Sequence, residues 1–309
     1  MNSLPFIFNP IKNTLVLEQN QITRRPRWVR VKQNESDFHV TFHRNDVEKL
    51  FNFVIFNQST NGNISLEWSE QINQKVHLFW YLPEADTNQQ LHIKLNAESK
   101  GELTVVLMGQ DSSQTVAIDV ELQHHAVLDF GLAIVGGQST HINHQVQLLG
   151  EHAEFRKMGL AVQNQTAMLN MKEAVHHKSP LSTSFLQNYM IANHQAFIHF
   201  EVIGKIHKGN HGSNCRQNNR GVILEPLGAI QVDPLLLIDE YDVEAGHGAA
   251  VGEINPEELY YLQSRGLKEI EAKRLIISGY IKPFLDRFDY HAFSSYLEVK
   301  IDDIIKGSE

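Results

Sequence analysis

The sequence predicts a mainly β protein, a parallel β-solenoid followed by a small C-terminal α-helical domain, and three observations carry that reading. From about Asn13 to Val251 the chain consists of short apolar runs broken by Gly, Asn, Ser, Gln and His, among them Phe53-Val54-Ile55-Phe56, Thr104-Val105-Val106-Leu107-Met108 and Leu235-Leu236-Leu237-Ile238. No window there holds an apolar stripe at i, i+3, i+4, i+7. Alternation is clear instead in Gln145-Val146-Gln147-Leu148 and in Phe197-Ile198-His199-Phe200-Glu201-Val202-Ile203. Third, a polar or glycine residue, then a small one, then an apolar run recurs at His125-Ala126-Val127, His152-Ala153-Glu154-Phe155, Thr166-Ala167-Met168-Leu169, Gln195-Ala196-Phe197-Ile198 and Gly228-Ala229-Ile230. Those alanines lie 27, 14, 29 and 33 residues apart, a degenerate repeat that suits stacked coils with tight corners. A large β-sandwich is the alternative arrangement of the same strands.

The β body takes residues 1–252 and the helical domain residues 253–309. At Asn255-Pro256-Glu257-Glu258 an Asn occupies the N-cap, Pro the first helical position and Glu the third, so orphan amides and the positive dipole end are both answered. This first helix carries Leu259, Tyr260 and Leu262 and stops at Gly266. A second begins near Lys268 with Ala272, Leu275, Ile276 and Gly279 on one side, and Pro283 ends or kinks it. Tyr290, Phe293, Leu297, Ile301 and Ile304 form a third stripe at helical spacing. The expected layout is a β body with a three-helix cap.

With 309 residues, 42% of them hydrophobic and 20% charged, the chain can bury a large core, which excludes a disordered protein or a stapled mini-protein. Lys and Arg number 27 against 36 Asp and Glu, and the basic residues make no run longer than Arg24-Arg25. A formal charge of −9 argues against a nucleic-acid partner. One cysteine, Cys215, rules out an intrachain disulfide framework and fits a reducing cytosol. The opening Met1-Asn2-Ser3-Leu4-Pro5 lacks the basic and long apolar regions of a signal peptide, and 18 apolar residues never run together, so a cytoplasmic protein without a membrane partner is expected.

Seventeen histidines are the abnormal count and invite a metal reading. They pair in sequence at His124-His125, His141 with His144, His176-His177 and His207 with His211. On a strand, residues one or three apart face opposite ways, and residues four apart lie roughly 13 Å from each other, too far for one metal. Turn and solvent roles are favoured, some of them at coil corners, although neighbouring coils can align distant histidines. Cys215, in the polar segment Gly212-Ser213-Asn214-Cys215-Arg216-Gln217, is expected to be exposed, with Arg216 and His211 favouring its thiolate. Asp242 and Glu244 share a strand face, a solvated pair before a catalytic one. Gly246-His247-Gly248-Ala249-Ala250-Val251-Gly252 superficially suggests a dinucleotide loop, but the helices that follow it refute a Rossmann unit. The sequence contains no phosphate-binding P-loop, nucleophile elbow, H-E-x-x-H or C-x-x-C.

The run from Asp242 to Gly252, then Leu259-Tyr260-Tyr261-Leu262-Gln263-Ser264-Arg265-Gly266-Leu267, then Glu271-Ala272-Lys273-Arg274-Leu275-Ile276, resembles the SufB/SufD family of iron-sulfur cluster assembly components. Gln217-Asn218-Asn219-Arg220 and Pro226-Leu227-Gly228-Ala229 fit the same family. The match is specific over residues 205–288 and fades towards the first 90 residues. The resemblance implies a right-handed parallel β-helix with a helical C-terminal domain. It further implies a non-catalytic scaffold subunit, docked through its helices on a SufC-like ABC ATPase that holds the ATP, and paired through its β-helix with a SufB-like subunit or with itself as a dimer. A transient iron-sulfur cluster at the subunit interface is implied too, and a flavin in the complex is left open.

Site by site, SufB-type members carry a cysteine where this chain has Leu227 and acidic residues where it has Gly246 and Gly248, and SufD-type members often carry one where it has Ala245. His247 alone matches the family's cluster-related set, so the chain reads as SufD-like, with His247 and Cys215 the metal or cluster candidates. One histidine cannot hold a cluster, so thiolate, sulfide or a partner subunit must complete the shell. Tyr260, Tyr261, Arg265, Lys273 and Arg274 are the expected ATPase anchors. The helical N-terminal extension of longer members is expected to be lacking. A polysaccharide-active β-helix enzyme, with Asp242 and Glu244 as its acids, is the competing class.

Overall fold

The computed structural model describes residues 13–18, 21–26, 30–34, 37–43, 50–56 and 61–306. Their strands are β1 (Thr14–Glu18), β2 (Gln21–Arg24), β3 (Arg30–Asn34), β4 (Asp37–Phe42), β5 (Leu50–Phe56), β6 (Gly62–Trp68), β7 (Asn73–Tyr81), β8 (Thr87–Leu95), β9 (Lys100–Met108) and β10 (Ser113–Leu122). Then follow β11 (Val127–Val135), β12 (Ser139–Leu148), β13 (Glu154–Gln163), β14 (Met168–His177), β15 (Thr183–Ala192), β16 (Phe197–Ile206), β17 (Asn214–Ile223), β18 (Ala229–Ile238) and β19 (Glu244–Glu253). The helices α1 (Pro256–Ser264), α2 (Glu269–Leu285) and α3 (His291–Lys306) close the order.

From β4 onward, successive strands alternate between two sheets and each pairs in parallel with the strand two further on. The result is a wound solenoid, not the sandwich alternative. One sheet runs β19-β17-β15-β13-β11-β9-β7-β5-β1-β2 and the other β18-β16-β14-β12-β10-β8-β6-β4-β3. Antiparallel pairs occur among the described strands only at the N-terminal end, between β1 and β2 and between β3 and β4.

The register explains the irregular alanine spacing. Val127 pairs with Glu154, 27 positions on; Glu154 pairs with Thr183, 29 on; and Thr183 pairs with Asn214, 31 on. From β4 onward one coil takes 25 to 32 residues, the extremes being Leu50 with Lys75 and Phe197 with Ala229. The 14-residue step from Ala153 to Ala167 is half a coil, carrying the pattern from one row of corners to the other. Ala126, Ala153, Ala167 and Ala196 are buried at these corners. Beside them stands a ladder of left-handed residues, Gln71, Glu98, His125, His152, Leu181 and Gly212, one per coil. A side chain in that region is strained, and cross-coil hydrogen bonds offset the cost: the amide of Glu98 donates to the His124 carbonyl (2.8 Å) and that of His125 to the Glu151 carbonyl (2.9 Å). Histidine tolerates this conformation better than most residues, so His125, His152 and, at the opposite corner, His194 fill turn roles.

Inside the coils the alternate residues of both sheets meet in one apolar core that includes Phe38, Phe53, Leu78, Trp80, Val105, Leu132 and Phe155. A second core lies on the outer face of the ten-stranded sheet. There Val54, Phe79, Val106, Leu160 and Ile191 pack against Ile277, Ile281 and Phe284 of α2 and Phe293, Leu297 and Ile301 of α3. Helices α2 and α3 therefore lie against the side of the solenoid, while α1 buries no residue. Arg287 pins their junction: its Nη1 donates to Asp129 Oδ1 (2.6 Å), and Gly131 leaves the room it needs, since a Cβ there would lie 2.4 Å from Arg287 Nε. Lys75 pairs with Asp289 (2.9 Å), and Tyr81 donates to Tyr296 (2.8 Å).

The helix signals hold with two corrections. Asn255 Oδ1 accepts the Glu257 amide (2.9 Å), Gly266 takes a left-handed turn after α1, and the Lys268 amide donates to the Glu271 carboxylate (2.8 Å). Leu275 and Gly279, however, are exposed; the buried face of α2 is Ala272, Ile277, Ile281, Phe284 and Leu285. The sheet beneath α2, rather than its neighbouring helices, sets that face. Nor does Pro283 stop the helix, which runs two residues past it to Leu285.

Candidate functional site at the open end of the solenoid

The last coil has no successor. Among the described residues, strand β18 pairs only with β16 and β19 only with β17, so each leaves one edge free of them. Ile230, Val232 and Leu236, on the inward side of β18, are half-buried where earlier coils bury such residues, and Leu235, Leu237 and Tyr241 are exposed. Nearly all of β19 is exposed.

His247 stands in the middle of β19, in register with Gln217 of β17. Because Cys215, Gln217 and Asn219 face inward, Ala245, His247 and Ala249 continue that inward row, open to solvent because no coil covers it. A Cβ on Gly246 would meet nothing within 4 Å, and one on Gly248 only Asn218 Oδ1 at 4.0 Å. Both of those positions lie on the outer face of β19, opposite the exposed His247.

Cys215 departs from expectation. It is fully buried, facing Gly204 of β16, where an added Cβ would lie 2.4 Å from its Sγ. Burial pushes the thiol above its ordinary range against a weaker opposing hydrogen bond to Ser184, so no thiolate is favoured. Its polar neighbours misled because the inward row of β17 is itself polar. Cys215 pairs with Ala245 and His247 with Gln217, so the two candidates share the inward face but stand at different register positions.

Asp242 and Glu244 are exposed, and Glu244 bridges β19 to β17 while the half-buried Glu240 serves a turn. Glu244 accepts from Asn214 Nδ2 and Arg216 Nη2, both at 2.9 Å, while Glu240 accepts the Gly209 and Tyr241 amides at 2.8 Å. Of the helix candidates, Tyr260, Tyr261 and Arg265 form one exposed patch on α1 and its C-cap, with the Arg265 guanidinium 5.2 Å from the Tyr261 ring centroid. Lys273 pairs with Glu269 (2.9 Å) and Glu225 (3.7 Å), and Arg274 with Asp302 of α3, so these two brace the helices.

Histidines do align across coils. His125 and His152 stack with centroids 4.6 Å apart, and His176 Nδ1 lies 3.4 Å from His207 Nε2. Among the described residues, no group of three or more His, Cys, Asp and Glu converges on a metal-sized centre.

The sequence reading missed a column of polar side chains inside the solenoid. His144 Nδ1 meets Glu173 Oε1 (2.9 Å), Lys157 Nζ donates to Glu173 Oε2 (2.8 Å) and to Asn188 Oδ1 (2.9 Å), and Asn188 Nδ2 donates to Asn219 Oδ1 (2.9 Å). All five residues are buried. Burial alone would raise the Glu173 carboxyl, but Lys157 and His144 hold it at about 2, while burial depresses Lys157 and His144. The column ends at the open coil: Asn219 Nδ2 donates to the Gly248 carbonyl and Gln217 Nε2 to the Leu235 carbonyl, both at 3.3 Å. Alternation of polar residues at inward positions was its sequence signal, as in Cys215-x-Gln217-x-Asn219.

A family profile described as "SUF system FeS cluster assembly, SufBD core domain" matches residues 71–280, from the turn before β7 to within α2. The chain belongs to the SufBD family. The SufBD match reaches much further towards the N-terminus than the resemblance over residues 205–288. The iron-sulfur cluster assembly protein SufD of Bacillus subtilis strain 168 is 25% identical over 277 residues, covering 86% of this chain and 60% of that protein. SufD of Escherichia coli K12 is 26% identical over 149 residues, covering 48% of this chain and 35% of the relative. A SufBD family protein of Synechocystis, slr0076, is 33% identical over 75 residues, 24% of this chain and 17% of its own length. The chain thus spans 60% of the Bacillus protein's length and smaller shares of the other two.

Proposed function

We propose that this chain is a non-catalytic subunit of a SUF iron-sulfur scaffold complex. It pairs through the open end of its solenoid with a SufB-like subunit or a second copy, and docks a SufC-type ATPase through its C-terminal helices. The observation that carries the reading is the terminal coil, whose β18 and β19 each keep an edge free of any described strand while His247 stands exposed in the middle of β19. Free strand edges recruit further strands, and parallel coils offer two such edges side by side. The cluster is cargo in this scheme, assembled at the interface. A neutral imidazole can take one iron site, and a partner supplies the remaining ligands. ATP belongs to the partner, in keeping with the lack of a P-loop in this sequence. No helix among the described residues is long and apolar enough to cross a membrane, which agrees with work in the cytoplasm.

For docking, the exposed Tyr260, Tyr261 and Arg265 are the side chains free to meet a partner. Co-expression with the SufC-type ATPase and the SufB-like protein of the same organism is expected to yield a stable complex. The double substitution Tyr260→Ala with Tyr261→Ala should weaken ATPase capture at least tenfold without lowering the melting temperature. His247→Ala should leave the complex intact and reduce cluster yield tenfold or more; an undiminished yield would remove His247 from the site.

A further inference from the structure

The interior of the solenoid changes character along its axis. Through the early coils the inward residues are largely apolar, as in Leu15, Phe53, Leu78, Val105 and Leu132. Towards the open end they include His144, Lys157, Glu173, Ser184, Asn188, Cys215, Gln217 and Asn219, all buried. The backbone is trimmed to admit them. A Cβ on Gly159 would lie 2.2 Å from Asn188 Oδ1, and one on Gly204 would lie 2.4 Å from Cys215 Sγ and 3.0 Å from Gln217 Nε2. A buried ion pair adds little stability over an apolar pair of the same size, and His144 Nε2 and Gln217 Oε1 are buried without a partner, which costs more. Such features concentrate where function overrides stability.

The column's last two members act on the open coil. Strand β19, Glu-Ala-Gly-His-Gly-Ala-Ala-Val-Gly-Glu, has three glycines and three alanines, so it has little side chain to pack and much backbone freedom to lose. Inside the coil, Asn219 grips the Gly248 carbonyl, one residue from His247, and Gln217 grips the Leu235 carbonyl in the middle of β18. One strand, β17, thus holds both free-edged strands by buried amides. Asn219 is in turn held by Asn188, and Asn188 by Lys157 and Glu173.

We propose that Gln217 and Asn219 are positioning residues, which preorganise the two free-edged strands and His247 for assembly, with the Lys157–Glu173 pair as their buried anchor. This rests on the pairing reading above, since a strand edge fixed in advance loses less freedom when a partner adds to it. Neither amide can touch a partner, because both are buried.

The test uses Asn219→Leu, Gln217→Leu and the double variant, which keep volume and remove the donors. Amide hydrogen exchange of residues 245–251 is expected to quicken at least tenfold while β13 and β15 keep their protection. Affinity for the SufB-like partner, or self-association, should fall about tenfold. Unchanged exchange in β19, or equal quickening in β15 and β19, overturns the proposal. If the double variant does not fold, Asn219→Leu alone is read by the same criteria. A wild-type chain that never pairs would sink the pairing reading, while the exchange of β19 still decides whether these amides order the coil.

Discussion

Lys157→Met is expected to lower unfolding stability by about 3–5 kcal/mol, since it strands the Glu173 carboxylate in a site with no access to water. The carboxylate would keep only His144 at 2.9 Å and the Asn188 amide at 3.4 Å. Asn188 Oδ1 would lose its lysine donor as well. Combining Lys157→Met with Glu173→Leu removes both charges together and should recover most of the loss, because the net worth of a buried ion pair against apolar residues of similar volume is small. Urea titration of the two variants and the wild type gives the comparison. A double variant as unstable as the single one would mean that the pair itself, rather than the avoidance of a lone charge, stabilises the coils.

Acidification is the second large effect. His77 lies buried on the outer face of β7, edge-on to Phe288 and Phe293 with ring centroids 5.2 and 5.8 Å away, where the junction of α2 and α3 presses on the sheet. Burial, helped by Lys75, lowers it from 6.5 to about 4. His177 at a coil corner, between the hydroxyls of Ser182 and Ser184, is likewise lowered to about 4 by burial. The unfolded chain therefore binds these two protons first as pH falls. The stability from each neutral imidazole is complete above pH 6.5 and is lost as pH drops from 6.5 towards 4, by about 3 kcal/mol apiece. Glu173 acts in a lower window, its contribution persisting until pH falls below 4.5 and vanishing through about 2. Melting curves between pH 7 and 4 should show the loss, and His77→Leu should make the acid limb shallower, with the buried His177 and His144 carrying what remains. An acid limb of the same slope in that variant would assign the effect elsewhere.

The fold was legible because strand alternation and small-residue corners are local signals. The alanine intervals of 27 and 29 residues mark whole coils, that of 33 is a 32-residue coil plus one position, and the single 14-residue step marks the passage between two rows of corners, which one-dimensional spacing cannot distinguish from noise. The helix starts were also local, set by Asn255, Pro256 and Glu271. Leu275 and Gly279 were assigned to the wrong face of α2 because spacing within a helix does not reveal that a sheet, and not a helix, will lie beneath it. At the candidate site, the family pattern is what singles out His247, whereas the exposure of Cys215 was misjudged. The segment around Cys215 is polar on both faces, so nothing in it says which residues point inward. The Lys157–Glu173 pair was hidden for the same reason: its members lie 16 residues apart on opposite sheets and meet only through the winding of the coil.

The mass of the assembled complex tests the central claim most directly. One chain weighs 35.3 kDa. Native mass spectrometry after co-expression with the SufC-type ATPase and the SufB-like protein is expected to give two solenoid subunits per particle, one of them this chain or both, together with bound ATPase. A folded chain that stays at 35.3 kDa beside folded, unbound partners would contradict the account.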